Sequence, residues 1–339
     1  AGGAETAAAT EKNGWSLGGG VSLQSGAALW VDDAFPLLDS YTGLLKKRGL
    51  GEAAPVDWSQ LDETLATING WAAERTDGKI PALLSPEAIT PPVAFAVTTA
   101  VHLDATWAVA FDPEKTETAD FARLDGEAMA ADYLAARREL RMTPVLDGQA
   151  RMLEIPFAGE GFRFLAVLPE KEGARPLRRV ERRIGEEMPS WLAALEEAAP
   201  REVSVRLPKF TVGAAFDPQP AIEALGVRSI FDDDKADFTG ATAVEGLRLD
   251  AVRHSAVVSI DETGAEAAAA TAGTVVAKSF DTGANTFHAT RPFLYFLLGP
   301  GDRILFAGRV ASPEAPAESA PESGDGEPAT PAGIRIDAP

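Results

Sequence analysis

The reading of the fold turns on Glu262-Thr-Gly-Ala-Glu-Ala-Ala-Ala-Ala-Thr-Ala-Gly-Thr-Val-Val-Ala-Lys-Ser-Phe280. An apolar, strand-like run precedes it, His254-Ser-Ala-Val-Val-Ser-Ile260, and a second follows, Pro292-Phe-Leu-Tyr-Phe-Leu-Leu298. Both flanks have to be buried, yet the piece between them has no bulky anchor before Val275. The window Ala265–Ala272 admits three readings. Alanine has the highest helix propensity, so it can be a short helix. Its low complexity suits a linker. It can also be a mobile loop whose small side chains let it enter a crowded place. As a strand, Ala265, Ala267, Ala269 and Thr271 point to one face, and Glu266, Ala268 and Ala270 to the other. A strand entering a packed sheet meets side chains on both faces, and overpacking costs about 1–3 kcal/mol per bulky group. Alanine avoids that cost, and Gly264 supplies backbone freedom at the start of the run.

The totals bound the answer. A chain of 339 residues with 45% apolar content can build a sizeable core. A net charge of −20 repels nucleic acid and anionic membrane surfaces. No run of 18 apolar residues suggests a membrane span. Cysteine is absent, which excludes disulfides, thiolate ligands and a cysteine nucleophile. The three histidines carry no metal spacing such as HExxH, and no nucleophile elbow is present. The expectation is therefore a non-enzyme with no cofactor and no metal.

Along the chain, residues 1–20 are small and Gly-rich and read as a flexible lead-in. Val21–Val31 alternates as a strand. Phe35–Leu45 and Leu61–Arg75 have helical spacing, the first closing on Lys46, Lys47 and Arg48 as a helix C-terminus favours. Val93–Leu103 reads as a buried strand, and Arg151–Phe157 with Phe162–Leu168 as a hairpin. Arg175–Glu197 holds two helical stretches, Val203–Phe210 is a strand, and Ile222–Gly226 a short helix. Residues 314–339 carry five prolines beside six acidic residues and one Arg, with almost no large apolar side chain. Such a segment cannot bury enough area to offset its ordering entropy and reads as a disordered tail.

Several phrases together resemble the serpins, the serine protease inhibitors. The acidic pair Asp261-Glu262, then Gly264, Glu266 and an alanine run closing on Thr271, is similar to the hinge of that family's reactive-centre loop. Ile68-Asn69-Gly70-Trp71 with Thr76-Asp77-Gly78-Lys79-Ile80, Leu207-Pro208-Lys209-Phe210, Ala236-Asp237-Phe238-Thr239-Gly240, Arg291-Pro292-Phe293 and Ile304-Leu-Phe-Ala-Gly-Arg-Val310 match further family phrases in order, over Val21 to Pro313. The nearest type is an N-terminally shortened, bacterial-type member.

The resemblance implies an α+β fold of mixed and antiparallel sheets with surrounding helices and an exposed reactive-centre loop, lacking the family's N-terminal helices. The serpin-like domain is then 21–313. Its hinge residues are Glu262, Gly264, Ala265, Glu266, Ala267, Ala268, Ala269, Ala270 and Thr271. The family spacing from Gly264, and the count back from Arg291, both place the scissile bond at Lys278-Ser279. A Lys there suits a trypsin-like protease, whose specificity pocket holds a carboxylate. The implied partner is that protease, held as a covalent acyl-enzyme, and the inhibitor is expected as an extracellular monomer. His254, Thr99 and Trp107 fall where the family gates loop entry. Thr99 replaces the family's Asn, His102 its Tyr and Asp104 its Lys. With that Asn gone, and without the family's N-terminal helix whose serines pair with this histidine, His254 is expected to lose its usual partners. The alternative is a non-inhibitory binding or structural module, or remnant, on the same scaffold.

Overall fold

The computed structural model describes residues 8–9, 14–89, 93–265 and 285–313. The expected hinge residues Glu266, Ala267, Ala268, Ala269, Ala270 and Thr271, the bond Lys278-Ser279 and the tail 314–339 lie outside them.

The chain opens with strands β1 (Ala8–Ala9), β2 (Gly14–Gly18) and β3 (Val21–Asp32), then helix α1 (Asp39–Arg48), β4 (Glu52–Val56) and helix α2 (Leu61–Arg75). Residues 14–18 are thus no flexible lead-in: as β2 they pair antiparallel with β3. Glycines make the turn between them. Gly18, Gly19 and Gly20 all have positive φ, and a Cβ on Gly19 would lie 2.5 Å from the Gly159 Cα. Positive φ suits all three to glycine, and at Gly19 the close approach of the Gly159 backbone requires it. The first helix begins at Asp39, later than its apolar spacing suggests, because Leu38 is extended and Leu37 bridges to Thr242.

The middle of the chain supplies β5 (Phe95–Thr106), β6 (Glu117–Ala122), β7 (Ala128–Leu140), β8 (Met142–Val145), β9 (Ala150–Pro156) and β10 (Arg163–Pro169). Helix α3 (Ala174–Glu197) follows as one helix, not two stretches. Pro189 lacks the N–H that would bond the Gly185 carbonyl. Buried Leu177, Val180, Met188, Trp191, Leu192 and Leu195 hold both halves of the helix against the sheet below. Then come β11 (Arg201–Pro208), β12 (Phe210–Phe216), α4 (Gln219–Ala224), β13 (Ala251–Ile260), β14 (Gly264–Ala265), β15 (Thr286–His288), β16 (Phe293–Gly299) and β17 (Arg303–Val310). The single strand expected over Val203–Phe210 breaks at Lys209: β11 belongs to one sheet and β12 to another. Pro208 cannot donate to a ladder, so the chain turns the corner there.

Among the described residues the strands form three sheets. The largest runs β1-β2-β3-β5-β13-β12, with β4 beside β3 and β14 beside β5. A five-stranded sheet runs β17-β16-β10-β9-β8, and a four-stranded one β15-β11-β7-β6. Helix α2 lies on the largest sheet: Leu65, Ile68 and Ala72 pack with Ala28, Trp30, Ala96 and Ala100 in one cluster. Asn69 explains the phrase around it. Its Oδ1 accepts from the N–H groups of Leu83 and Leu84, both at 2.8 Å, and its Nδ2 donates to the Leu84 carbonyl. The helix is thereby pinned to the segment that leads into β5.

Candidate functional site: the mouth between two parallel strands

At the centre of the largest sheet, β5 and β13 run parallel. They pair from Ala251 opposite Ala96 to Val257 opposite His102. Past that point β13 stays with β12, Val258 opposite Val212 and Ile260 opposite Phe210. The partner of β5 changes: Gly264 opposes Thr106 and Ala265 opposes Ala105, antiparallel. The chain leaving β13 therefore turns back and lays Gly264 and Ala265 on β5, at the end where the two long strands part. This geometry requires glycine. Gly264 has φ of +151°, and a Cβ there would sit 1.9 Å from the Ala105 carbonyl oxygen.

The turn is tied down by its own side chains and by the segment after β5. Asp261 Oδ1 accepts from the Thr263 N–H (2.7 Å), the Thr263 hydroxyl (2.7 Å) and the Gly264 N–H (3.1 Å). The Trp107 N–H donates to the Thr263 carbonyl and the Phe111 N–H to that of Glu262, both at 2.8 Å. The Trp107 indole N–H donates to the Asp261 carbonyl at 2.9 Å. Trp107 is buried, stacked on Phe157 at 4.7 Å and edge-on to Phe111 and Phe164. It is a rigid post for the turn.

Glu262 anchors the same turn electrostatically. The Thr116 hydroxyl donates to its Oε1 at 2.7 Å, and the Lys209 ammonium lies 3.0 Å from Oε2. Burial pushes the Glu262 carboxyl up, but the Thr116 hydroxyl, a backbone hydrogen bond and Lys209 outweigh it and hold the carboxyl below the ordinary glutamate value. Lys209 reaches it because the corner between β11 and β12 falls on that residue. Sequence reasoning gave neither Lys209 nor Thr116 a role at the site. Lys209 stood in the phrase Leu207–Phe210, but no spacing links it or Thr116 to Glu262.

Lower in the sheet, Thr99 stands opposite His254 across the parallel pair. Thr99 Oγ1 and His254 Nδ1 are 2.7 Å apart. His254 is thus not left without a partner: the hydroxyl of Thr99, where the family resemblance places an Asn, reaches the ring. Burial pulls the His254 pKa below its ordinary value, and Phe216 meets the ring edge-on at 5.3 Å. His102 is buried beside Val257 at the last closed pair, with Nε2 3.1 Å from Asp104 Oδ1. Glu262, Gly264, Ala265, Trp107, Thr99 and His254 all lie along the line where β5 and β13 meet or part. Among the described residues no group of three or more His, Asp or Glu is placed to hold a metal ion, and no helix is long and apolar enough to cross a membrane.

This fold, with two parallel strands at the centre of the largest sheet and Gly264–Ala265 seated where they part, has counterparts among known proteins. A family model described as "Serpin (serine protease inhibitor)" matches residues 6–313, and the chain belongs to this family. It is 28% identical to antithrombin-III of Homo sapiens over 296 residues, covering 86% of this chain and 62% of that protein. It is 29% identical to the leukocyte elastase inhibitor of Bos taurus, covering 86% of this chain and 78% of that protein. Of Mus musculus serpin B11 it spans 64%. The solved structure of Serpin48 from the insect Tenebrio molitor matches with a TM-score of 0.75 at 25% identity, covering 87% of this chain and 77% of that one. Human thyroxine-binding globulin complexed with thyroxine shares the fold with a TM-score of 0.76 at 24% identity, covering 86% of this chain and 76% of that one.

Proposed function

We propose that the protein inhibits trypsin-like serine proteases by a suicide reaction at Lys278-Ser279. The protease serine attacks the Lys278 carbonyl carbon, the bond to Ser279 breaks, and Ser279 leaves with a new amino group while an acyl-enzyme remains. The freed hinge then enters the largest sheet between β5 and β13, carrying the protease with it.

The observation that carries this reading is the seating of Gly264–Ala265 on β5. Continued in the same register, residues 266–275 run antiparallel to β5, with Thr271 opposite Thr99 and Val275 opposite Phe95. Because β5 and β13 are parallel, such a strand is antiparallel to both. One parallel ladder is exchanged for two antiparallel ones, and antiparallel pairing is the more stable per residue. That difference supplies the driving force. The alanines that would enter are the residues that avoid overpacking. Insertion has to break the Thr99–His254 hydrogen bond, which ties the two strands together across the line of entry. Fourteen residues from Gly264 to Lys278 span at most roughly 50 Å when extended, about the length of a large sheet.

The test is incubation with trypsin at near-equal concentration, read on a denaturing gel. An SDS-stable complex, with a C-terminal fragment beginning at Ser279, is the expected result. Clean cleavage after Lys278 without a complex sinks the inhibitory reading and leaves a substrate. Resistance to cleavage favours the non-inhibitory module. A complex with a fragment beginning elsewhere retains inhibition and refutes Lys278.

A further inference from the structure

The first half of α3 carries charge of the opposite sign to the chain, whose net charge is −20. Arg175, Arg178, Arg179 and Arg182 are exposed and, with Lys171, line a cavity of about 700 Å³ beside the turn Leu146–Gln149. Glu170 also lines it, but that carboxylate is engaged by Arg151: Nε lies 2.6 Å from Oε1, and Nη2 donates to Oε2 at 3.1 Å. Arg179 donates to the neutral Gln149 amide oxygen. Among the described residues Arg175, Arg178 and Arg182 take part in no ion pair. Their spacing makes them neighbours on one helix face, and like charges so placed weaken a helix by about 0.2–0.5 kcal/mol per pair. Positive charge in the first turn also opposes the helix dipole. The arrangement costs helix stability as it stands, and an anion in the cavity reverses both effects.

We propose that this cavity is the docking site of the chain's own acidic segment, residues 314–339. That segment brings six carboxylates against one Arg. It leaves the fold at the right end. β17 closes with Val310 opposite Phe293, and β10 runs towards that same end, Val167 opposite Leu294, before the chain enters α3. Arg309, four residues before Pro313, already touches the helix through Glu181 at 3.1 Å. The sheet order puts the Leu146–Gln149 turn four strands away, about 19 Å at the usual spacing. Roughly six extended residues cover that distance, so Glu318, Glu322 and Asp325 come within reach. Tethering presents them at an effective concentration on the order of millimolar, which any external anion has to overcome.

Two measurements on the full chain test this. Zero-length carbodiimide coupling should join Lys171 to Glu314, Glu318 or Glu322 ahead of lysines elsewhere such as Lys46 or Lys115. The coupling should fade at high salt and disappear in Arg178→Gln/Arg179→Gln/Arg182→Gln. These side chains are exposed, and an unchanged melting temperature confirms that the variant folds. Coupling spread evenly over the lysines, or surviving the triple substitution, overturns the proposal. Titration calorimetry with inorganic tripolyphosphate is the second measurement. The chain ended after Pro313 should bind it at least about threefold more tightly than the full chain, because a tethered competitor is gone. Equal affinities mean that the segment does not occupy the cavity. Absence of binding to either chain means that the cavity is no anion site. Either result overturns the proposal.

Discussion

Replacing Glu262 by Ala should destabilise the protein by about 2–3 kcal/mol. Two interactions are lost together: a 2.7 Å hydrogen bond from the Thr116 hydroxyl to a carboxylate, and a 3.0 Å contact with the Lys209 ammonium. A hydrogen bond to a charged group contributes about 1.5–3 kcal/mol. An exposed ion pair adds little. This one is mostly shielded, with the Lys209 and Glu262 side chains 24% and 13% exposed, so losing the carboxylate leaves a poorly solvated ammonium without this partner. For a domain of this size the change corresponds to a melting temperature lower by roughly 3–5 °C. Glu262→Gln, which keeps an acceptor for Thr116 and removes the charge, should cost about half as much. A double-mutant cycle between Glu262→Gln and Lys209→Met, read by urea unfolding, isolates the ion pair. A coupling energy of about 1 kcal/mol is expected. The pH dependence has a definite sign. The folded-state pKa lies below the ordinary value of about 4.3, so the contribution is complete above that value and is lost as pH falls through the lower, folded one. If Glu262→Ala costs less than about 0.5 kcal/mol at pH 7 and no more than it does at pH 3, the anchoring argument is wrong.

Two further outcomes follow from the same line of residues. His254 is held neutral by burial, with its folded pKa below the unfolded value of about 6.5; stability from this group is therefore full above pH 6.5 and lost as pH falls through the folded pKa, and urea unfolding of His254→Gln should show a flatter slope between pH 7.5 and 5.5 than the parent. An unchanged slope would mean that other groups set the dependence. Gly264→Ala places a Cβ against the Ala105 carbonyl at a positive φ, which should cost about 1–3 kcal/mol and lift β14 from β5. Hydrogen exchange on peptides covering Gly264–Ala265 and Ala105–Thr106 should then accelerate, and retained protection would show that the backbone accommodates the methyl group.

Much of this protein was legible before any coordinates. The order of short phrases carried the family resemblance, and with it the fold class; the strand-like flanks were legible as local patterns that backbone physics and packing impose on neighbouring residues. Helix α2 has the bounds that its 3.6-residue periodicity implies, and β9 with β10 follows from two apolar runs around a Gly-Glu-Gly turn. The misreadings have a common cause. The glycines before Val21 look like a linker until the turn at positive φ, with Gly19 against Gly159, gives them a place, and Val203–Phe210 looks like one strand until two sheets compete for its halves.

The site divides along the same line. From the sequence by itself came the small size of Gly264 and Ala265 and the charge of Glu262, which are properties of the residues themselves. The expectation that they form a hinge, and that His254, Thr99 and Trp107 gate the sheet, came from the family resemblance. Only the tertiary structure decided what holds them. Lys209 and Glu262 are more than fifty positions apart, as are Thr99 and His254, and each pair meets because two strands lie side by side in one register. Contact across a sheet depends on register and on where a chain changes sheets, and these are set by the packing of the whole core rather than by any single stretch.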